Sequence, residues 1–249
     1  MAGVLEIRDL HKRFDTHHVI NGFSLDVAEQ TLSCLVGPNG AGKTTLMDLI
    51  TGRLKPTSGS VRFHGDELTG LSENDIARRG LGRKFQIPAV FKDLSVRDNL
   101  TVAYSRHVNP FINMIRFSDP AMNRRLEEVC TLVGLHNRLR VEAGLLSHGE
   151  TQWLEIGMVL MQEPRLLLLD EPIAGMTEGE IEKTAHLLRK IRRTATLIVV
   201  EHDMGFVREI ADVVTVMHMG TLLAQGRIDE IEANPKVRDV YLGTEEESA

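Results

Sequence analysis

The chain has 249 residues, 42% hydrophobic, 26% charged and 4% aromatic, which suits one sizeable domain, or a domain with an inserted subdomain, able to bury its own core. A net charge of -6, with Lys and Arg scattered among Asp and Glu, excludes a broad basic face for nucleic acid. The two cysteines, Cys34 and Cys130, lie far apart with no CxxC or Cys/His spacing, so they read as reduced core thiols of a cytosolic protein.

In chain order, the opening "MAGVLEIRDL" lacks the charged-then-apolar layout of a signal segment, and no stretch approaches the roughly 18 apolar residues of a spanning helix. Work at a membrane would therefore rely on another polypeptide. "VLEIRDLHKRF" and "HVINGFSLDV" alternate apolar and polar residues, as half-buried antiparallel strands do. "TLSCLVG" is nearly continuous in apolar residues, the pattern of a strand covered on both faces, and it runs through a glycine turn into the helix of "PNGAGKTTLMDLITG". "GSVRFHGDEL" predicts another strand and turn. Helical periods then take over, as in "DPAMNRRLEEVCTLVGL". "RLLLLDEP" restores a buried strand, "EGEIEKTAHLLRKIRR" an amphipathic helix and "ATLIVVEHD" another strand. "DVVTVMHMGTLLAQG" predicts a closing hairpin with Gly220 near its turn. The fold class is α/β, with a core over about residues 1–90 and 162–243, a helical insert over about 91–161 and a frayed tail over 244–249.

"GPNGAGKTT", running Gly37, Pro38, Asn39, Gly40, Ala41, Gly42, Lys43, Thr44 and Thr45, fits the pattern G-x-x-x-x-G-K-[ST]. Its glycines let backbone N–H groups curl around phosphate oxygens. Lys43 supplies a point charge to the β/γ-phosphates, and the Thr44 hydroxyl ligates Mg²⁺. "RLLLLDEP" places Asp170 and Glu171 at the end of a buried strand, where Asp170 can hold Mg²⁺ through water and Glu171 can orient or deprotonate the attacking water. "VVEHD" repeats this logic with His202 at the end of the next strand. Gln86, in "GRKFQIP", lies where the core gives way to the insert. "LSHGETQWLEIGMVL", Leu146 to Leu160, opens an amphipathic helix with a small hydroxyl, a glycine and an acid. Such a turn offers free N–H groups to an anion, and so supplies a second phosphate grip.

In this order the motifs resemble the ATP-binding cassette ATPases over nearly the whole chain. The resemblance implies a P-loop NTPase core with an antiparallel β subdomain and an inserted helical subdomain. It implies that the second grip is the family's signature, usually Leu-Ser-Gly-Gly-Gln, which closes on ATP held by the phosphate loop of a second, antiparallel copy. Ser147, Gly149 and Glu150 would then meet the partner's nucleotide. Gln86 stands where the family's glutamine contacts Mg²⁺ and senses the partner, and His202 where the switch histidine stands. Ile173 to Thr177 occupy the loop linking the two sites, and Phe14, in "HKRF", the place of the ring that stacks on adenine. Lys43, Gln86, Glu171 and His202 are thus the implied catalytic set, Thr44, Gln86 and Asp170 the implied metal set, and ATP and Mg²⁺ the implied ligands.

The chain departs from the pattern at several places. His148 replaces the first signature glycine, Glu150 replaces the glutamine, and the linking loop lacks its usual Asp. Trp153 and Met158 stand where many relatives carry arginines. An acid at 150 suits a helix N-terminus but sets a negative charge near a triphosphate, so weaker ATP-driven closure is expected than a glutamine would give.

"DEPIAGMT" resembles the branch that serves branched-chain amino acid importers, and "VYLG" near Leu242 suits the same branch. Within it, "LSHGETQWLEIGMVL" is similar to the ATPases of urea and short-chain amide importers. The partners implied are a second ABC ATPase subunit, identical or paralogous, transmembrane permease subunits and, indirectly, a periplasmic or extracellular substrate-binding protein, with no nucleic acid. The protein would be cytoplasmic, peripheral on the inner face of the membrane. "QIPAVFKDLSVRDNL" is expected to line the groove that receives a permease helix, with "NPFINMIRF", Asn109 to Phe117, a further apolar patch nearby. A branched-chain amino acid importer and a stand-alone cassette driving lipid or lipopolysaccharide export stay open as alternatives. A soluble DNA-repair or translation ATPase would bring a long coiled coil or a tandem cassette, and neither is present.

Overall fold

The computed structural model describes residues 3–84, 90–104 and 120–246, the last six of these by backbone alone. Two sheets organise it. β1 (Leu5–Phe14), β2 (His17–Val27), β4 (Ser58–Phe63) and the two-residue β5 (Asp66–Glu67) form an antiparallel sheet in the order β2-β1-β4-β5. The second sheet has the order β10-β9-β3-β8-β7-β6, from β3 (Leu32–Val36), β6 (Leu81–Lys84), β7 (Leu166–Asp170), β8 (Thr196–Val200), β9 (Val213–His218) and β10 (Thr221–Gly226). All its pairings are parallel except the closing β9–β10 hairpin.

The central strands read as unbroken apolar runs because both of their faces are covered, and their two-residue period sorts side chains between two cores. Leu32, Cys34 and Val36 of β3 face one core and Leu35 faces the other. β7 divides likewise, Leu167 and Leu169 against Leu166 and Leu168, and β8 divides Leu197 and Val199 against Ile198 and Val200. The second core fills the space between the two sheets around α1 (Lys43–Ile50), which buries Leu46, Met47, Leu49 and Ile50. The first core joins the parallel sheet to the helices on its other face, among them α6 (Glu178–Ile191) and α7 (Met204–Ile210).

The insert contributes α3 (Val96–Ala103), α4 (Pro120–Leu132) and α5 (His148–Leu160) to that same first core, through Leu100, Val129 and Leu154 among others. Ser95 and Asp203 start α3 and α7 by accepting the N–H groups of Asp98 and Phe206, which satisfies donors that a helix start otherwise leaves free. Sequence patterning missed β6, α2 (Glu73–Arg78), α7, α8 (Ile228–Ala233) and α9 (Pro235–Glu246). α9 runs to Glu246, so residues 244–246 of the expected tail are helical. Among the described residues no helix is long and apolar enough to cross a membrane.

Candidate functional site

The loop between β3 and α1 is pressed against its neighbours on one side and open on the other. A side chain on Gly42, at φ 103, would come within 2.9 Å of Val19 O and 3.0 Å of the Met217 side chain, whereas one on Gly40 would meet nothing within 4 Å. The loop rests on the β9–β10 hairpin, whose Gly220 N–H donates to Ala41 O at 2.9 Å. Lys43 curls back over it, its Nζ donating to Gly37 O at 2.7 Å and to Pro38 O at 3.0 Å. Burial lowers the Lys43 pKa, and the carboxylates of Glu171 and Asp170 oppose that shift. Thr44 lies exposed in the first turn of α1, and Asn39 is exposed beside the open side of the loop.

The neighbouring strands end at the same edge of the sheet. Asp170, the last residue of β7, is buried, and its Oδ2 has no hydrogen-bond partner. Burial pushes the Asp170 carboxyl up, while the Arg83 guanidinium, 3.9 Å from Oδ2, draws it back down. Arg83 is itself held by Asp48 of α1 at 2.5 Å. A buried carboxylate oxygen without a donor fits a cation, and the exposed Thr44 hydroxyl adds a second oxygen ligand of the kind Mg²⁺ takes. Among the described residues no group of three or more His, Cys, Asp or Glu could hold a metal unaided, so a divalent ion at this edge would draw its remaining ligands from phosphate and water.

Glu171 follows at φ 45, a left-handed conformation that a non-glycine residue adopts only under constraint, and its N–H donates to Val200 O at 3.0 Å. His202, beyond the end of β8, places Nδ1 3.8 Å from Glu171 Oε1 and 3.9 Å from Glu201 Oε2. Glu201 is 1% exposed and accepts the N–H groups of both His202 and Ile173, at 3.2 and 3.4 Å. One buried carboxylate thus ties together the turns that carry Glu171 and His202. Burial raises its pKa, and those two hydrogen bonds oppose the shift.

The turn expected to form the second grip lies at the head of α5. Ser147 caps it in a capping box: its Oγ accepts from Glu150 N–H at 3.1 Å, and Glu150 Oε2 accepts from Ser147 N–H at 3.0 Å. Glu150 Oε1 also accepts from Arg138 Nε at 2.9 Å, so its charge is already offset. His148 Nε2 lies 2.9 Å from Ala174 O, and that nitrogen therefore carries the proton and donates. The replaced signature glycine thus ties the turn to the loop 173–177. Gly149 sits against the Glu180 carboxylate: a Cβ there would lie 2.4 Å from Glu180 Oε1, so a larger residue would push that side chain aside.

Phe14 is 42% exposed at the end of β1, with the Lys12 ammonium 4.8 Å from its ring centroid. Gln86 lies outside the described residues, as do Asn109 to Phe117 and the first four residues of the expected permease groove. Of the remaining groove segment, Phe91 is 51% exposed while Val96 and Leu100 are buried in the first core. A cavity of 670 Å³ lined by Trp153, Lys183 and His186 among others contains none of the phosphate-loop or strand-end residues.

Sequence reasoning did not find Asp48, Arg83, Glu180 or Glu201. For Glu180 a signal existed, the Thr177-x-x-Glu180 capping-box spacing. For Arg83 there was none, because a charge in a four-residue strand reads as loop.

The profile of the ABC transporter family matches residues 20–174. The high-affinity branched-chain amino acid transport ATP-binding protein BraF of Pseudomonas aeruginosa is 38% identical over 253 residues, covering 96% of this chain and 98% of its own length. LivG of Escherichia coli K12, likewise a high-affinity branched-chain amino acid transport ATP-binding protein, is 33% identical over 249 residues with the same coverage. Among solved structures, the ADP conformation of an ATP-binding cassette of an ABC transporter superposes with a TM-score of 0.87 at 28% identity, covering 98% of this chain and 100% of that one. The cbiO1 protein of Clostridium perfringens, part of the cbiONQ transporter complex, superposes at 0.82 with 25% identity, covering 97% and 96%.

Proposed function

The chain belongs to the ABC transporter family of ATP-hydrolysing subunits, and from that premise we propose that it powers uptake of urea or a short-chain amide through separate permease subunits. The cargo assignment rests on the resemblance of "LSHGETQWLEIGMVL" to the ATPases of urea and short-chain amide importers, and two unusual residues of that segment are engaged within the fold. His148 holds the linking loop, and Trp153 Nε1 donates to Thr184 Oγ1 of α6 at 2.9 Å. A branched-chain amino acid importer is the second reading, favoured by the similarity to BraF and LivG, both branched-chain amino acid transport ATP-binding proteins.

In the proposed cycle, the backbone of Gly37 to Thr45 and the Lys43 ammonium hold the triphosphate, with Phe14 against the adenine. Bound Mg²⁺, held by Thr44, Gln86 and, through water, Asp170, would supply charge neutralisation to the β/γ-phosphates. Glu171 takes the proton of the attacking water, and His202 contacts the outer phosphate from the neighbouring strand end. Ser147 and Gly149 of one cassette close over the nucleotide of a second cassette, so binding joins the pair and hydrolysis releases it. The pair sits on the cytoplasmic face, coupled to permease subunits and, through them, to a substrate-binding protein.

The test is reconstitution with candidate permease subunits and binding proteins, with ATPase rate read against added solute. Stimulation by urea is the expected result. Stimulation by leucine or isoleucine alone would replace the cargo and keep the importer.

A further inference from the structure

Two adjacent cations end β6, with side chains almost wholly shielded from solvent. Arg83 and Lys84 have side chains 5% and 3% exposed, and strand alternation sends them to opposite faces. Arg83 turns to Asp48 of α1, whereas Lys84 meets Glu155 of α5, its Nζ 3.5 Å from Oε2 with Glu155 5% exposed. Lys84 pairs in register with Leu169, one residue before Asp170. Glu155 lies on the helix that opens at Ser147, about two turns along it.

α5 lies close on β6 because Gly82 has no side chain, as a Cβ there would sit 2.6 Å from Val159 Cγ1. Burial of apolar area between a helix and a strand is non-directional, so the hydrophobic term does not by itself select one position along the strand. An ion pair in a poorly polarisable interior is steeply distance-dependent, and a slip of one helical turn would leave two buried charges apart. Well-packed apolar residues often stabilise a core as well as a buried pair does, so the use of such a pair here points to fixing one register.

We propose that Lys84 and Glu155 are a positioning pair that fixes the slide of α5 along β6, and so sets where Ser147 and Gly149 are presented relative to the edge carrying Asp170. This rests on the reading above, in which Ser147 and Gly149 receive the phosphate of a second cassette.

The experiment uses the full chain with Glu171→Gln to arrest hydrolysis, and compares three additions: none, Lys84→Met with Glu155→Leu, and Lys84→Glu with Glu155→Lys. Melting temperature, binding of a fluorescent ATP analogue at high dilution, and ATP-driven dimerisation by sedimentation are measured on each. The apolar double variant is expected to keep its melting temperature and analogue affinity while its dimerisation weakens roughly tenfold or more, with partial recovery in the charge exchange. Unchanged dimerisation in the apolar variant overturns the proposal. So does a parallel loss of melting temperature and analogue binding, which would make the pair merely structural. Ser147→Trp in the same assay tests the underlying reading: if it dimerises normally, that reading fails and takes the proposal with it. If it alone blocks dimerisation, only the positioning role is lost.

Discussion

Ser147 Oγ donates to Glu180 Oε1 at 3.1 Å, joining the head of α5 to the head of α6. Glu180 Oε2 accepts from both the N–H and the hydroxyl of Thr177, each at 3.0 Å, and the nearby Gly149 N–H adds to the field that favours the carboxylate. These hydrogen bonds, with those of Thr177 foremost, hold the Glu180 pKa below its ordinary value. An internal anion therefore engages the same donors that the proposed function assigns to a second cassette's phosphate. Glu180→Gln is expected to lower the ATP concentration needed for half-maximal dimerisation, measured in the hydrolysis-arrested background. An unchanged concentration would mean that the carboxylate does not compete.

Lys43 and Glu171 should separate binding from chemistry. Lys43→Met removes a charge-assisted contact and is expected to weaken nucleotide binding by about tenfold to a hundredfold. Glu171→Gln is expected to keep affinity while lowering turnover by roughly 10²–10⁴-fold. Equilibrium binding and steady-state ATPase rates on both variants check the split.

The β9–β10 turn offers a stability test with an internal control. Gly220 is at φ 74 and a Cβ there would lie 2.3 Å from Val19 O, while Gly65, at φ 85, has nothing within 4 Å. Gly65→Ala should cost only backbone strain, about 1 kcal/mol. Gly220→Ala adds a backbone collision and should cost several times as much, read from urea midpoints. Because Gly220 N–H supports Ala41 O, it should also weaken nucleotide binding.

Burial pushes the Cys130 thiol up to about 11, from 9.0 in the unfolded chain, and raises Cys34 further. A raised acid keeps its proton in the fold after the unfolded chain has lost it. Stability is therefore unaffected below pH 9.0 and falls as pH rises from there toward about 11, by on the order of 2 kcal/mol for Cys130. Urea midpoints at about pH 8 and about pH 10.5 should fall further for the wild type than for Cys130→Ala.

What the sequence revealed and what it hid follow one physical division. β3, β7 and β8 were legible because apolar residues are covered wherever they sit in a central strand, and the glycine turn between β3 and α1 was legible because Gly37, Gly40 and Gly42 all take positive φ there. β6 was hidden because a strand ending in Arg83 and Lys84 becomes a buried strand only once Asp48, Asp170 and Glu155 arrive from distant parts of the chain. Glu150 shows the same limit. From sequence it is a bare charge beside a triphosphate, and in the fold Arg138 and the Ser147 N–H already engage it. Lys12 over Phe14 is a further contact that no local pattern announces.

Trp153 is the single tryptophan of the chain, 7% exposed, with its N–H on Thr184 and the Lys183 ammonium 5.8 Å from its ring. Indole emission excited selectively in the ultraviolet consequently arises from one place, the seam where α5 meets α6. Its colour and intensity follow how tightly that seam is shut, so the molecule carries an optical gauge of its own and rapid-mixing traces can time the seam's opening without any dye attached.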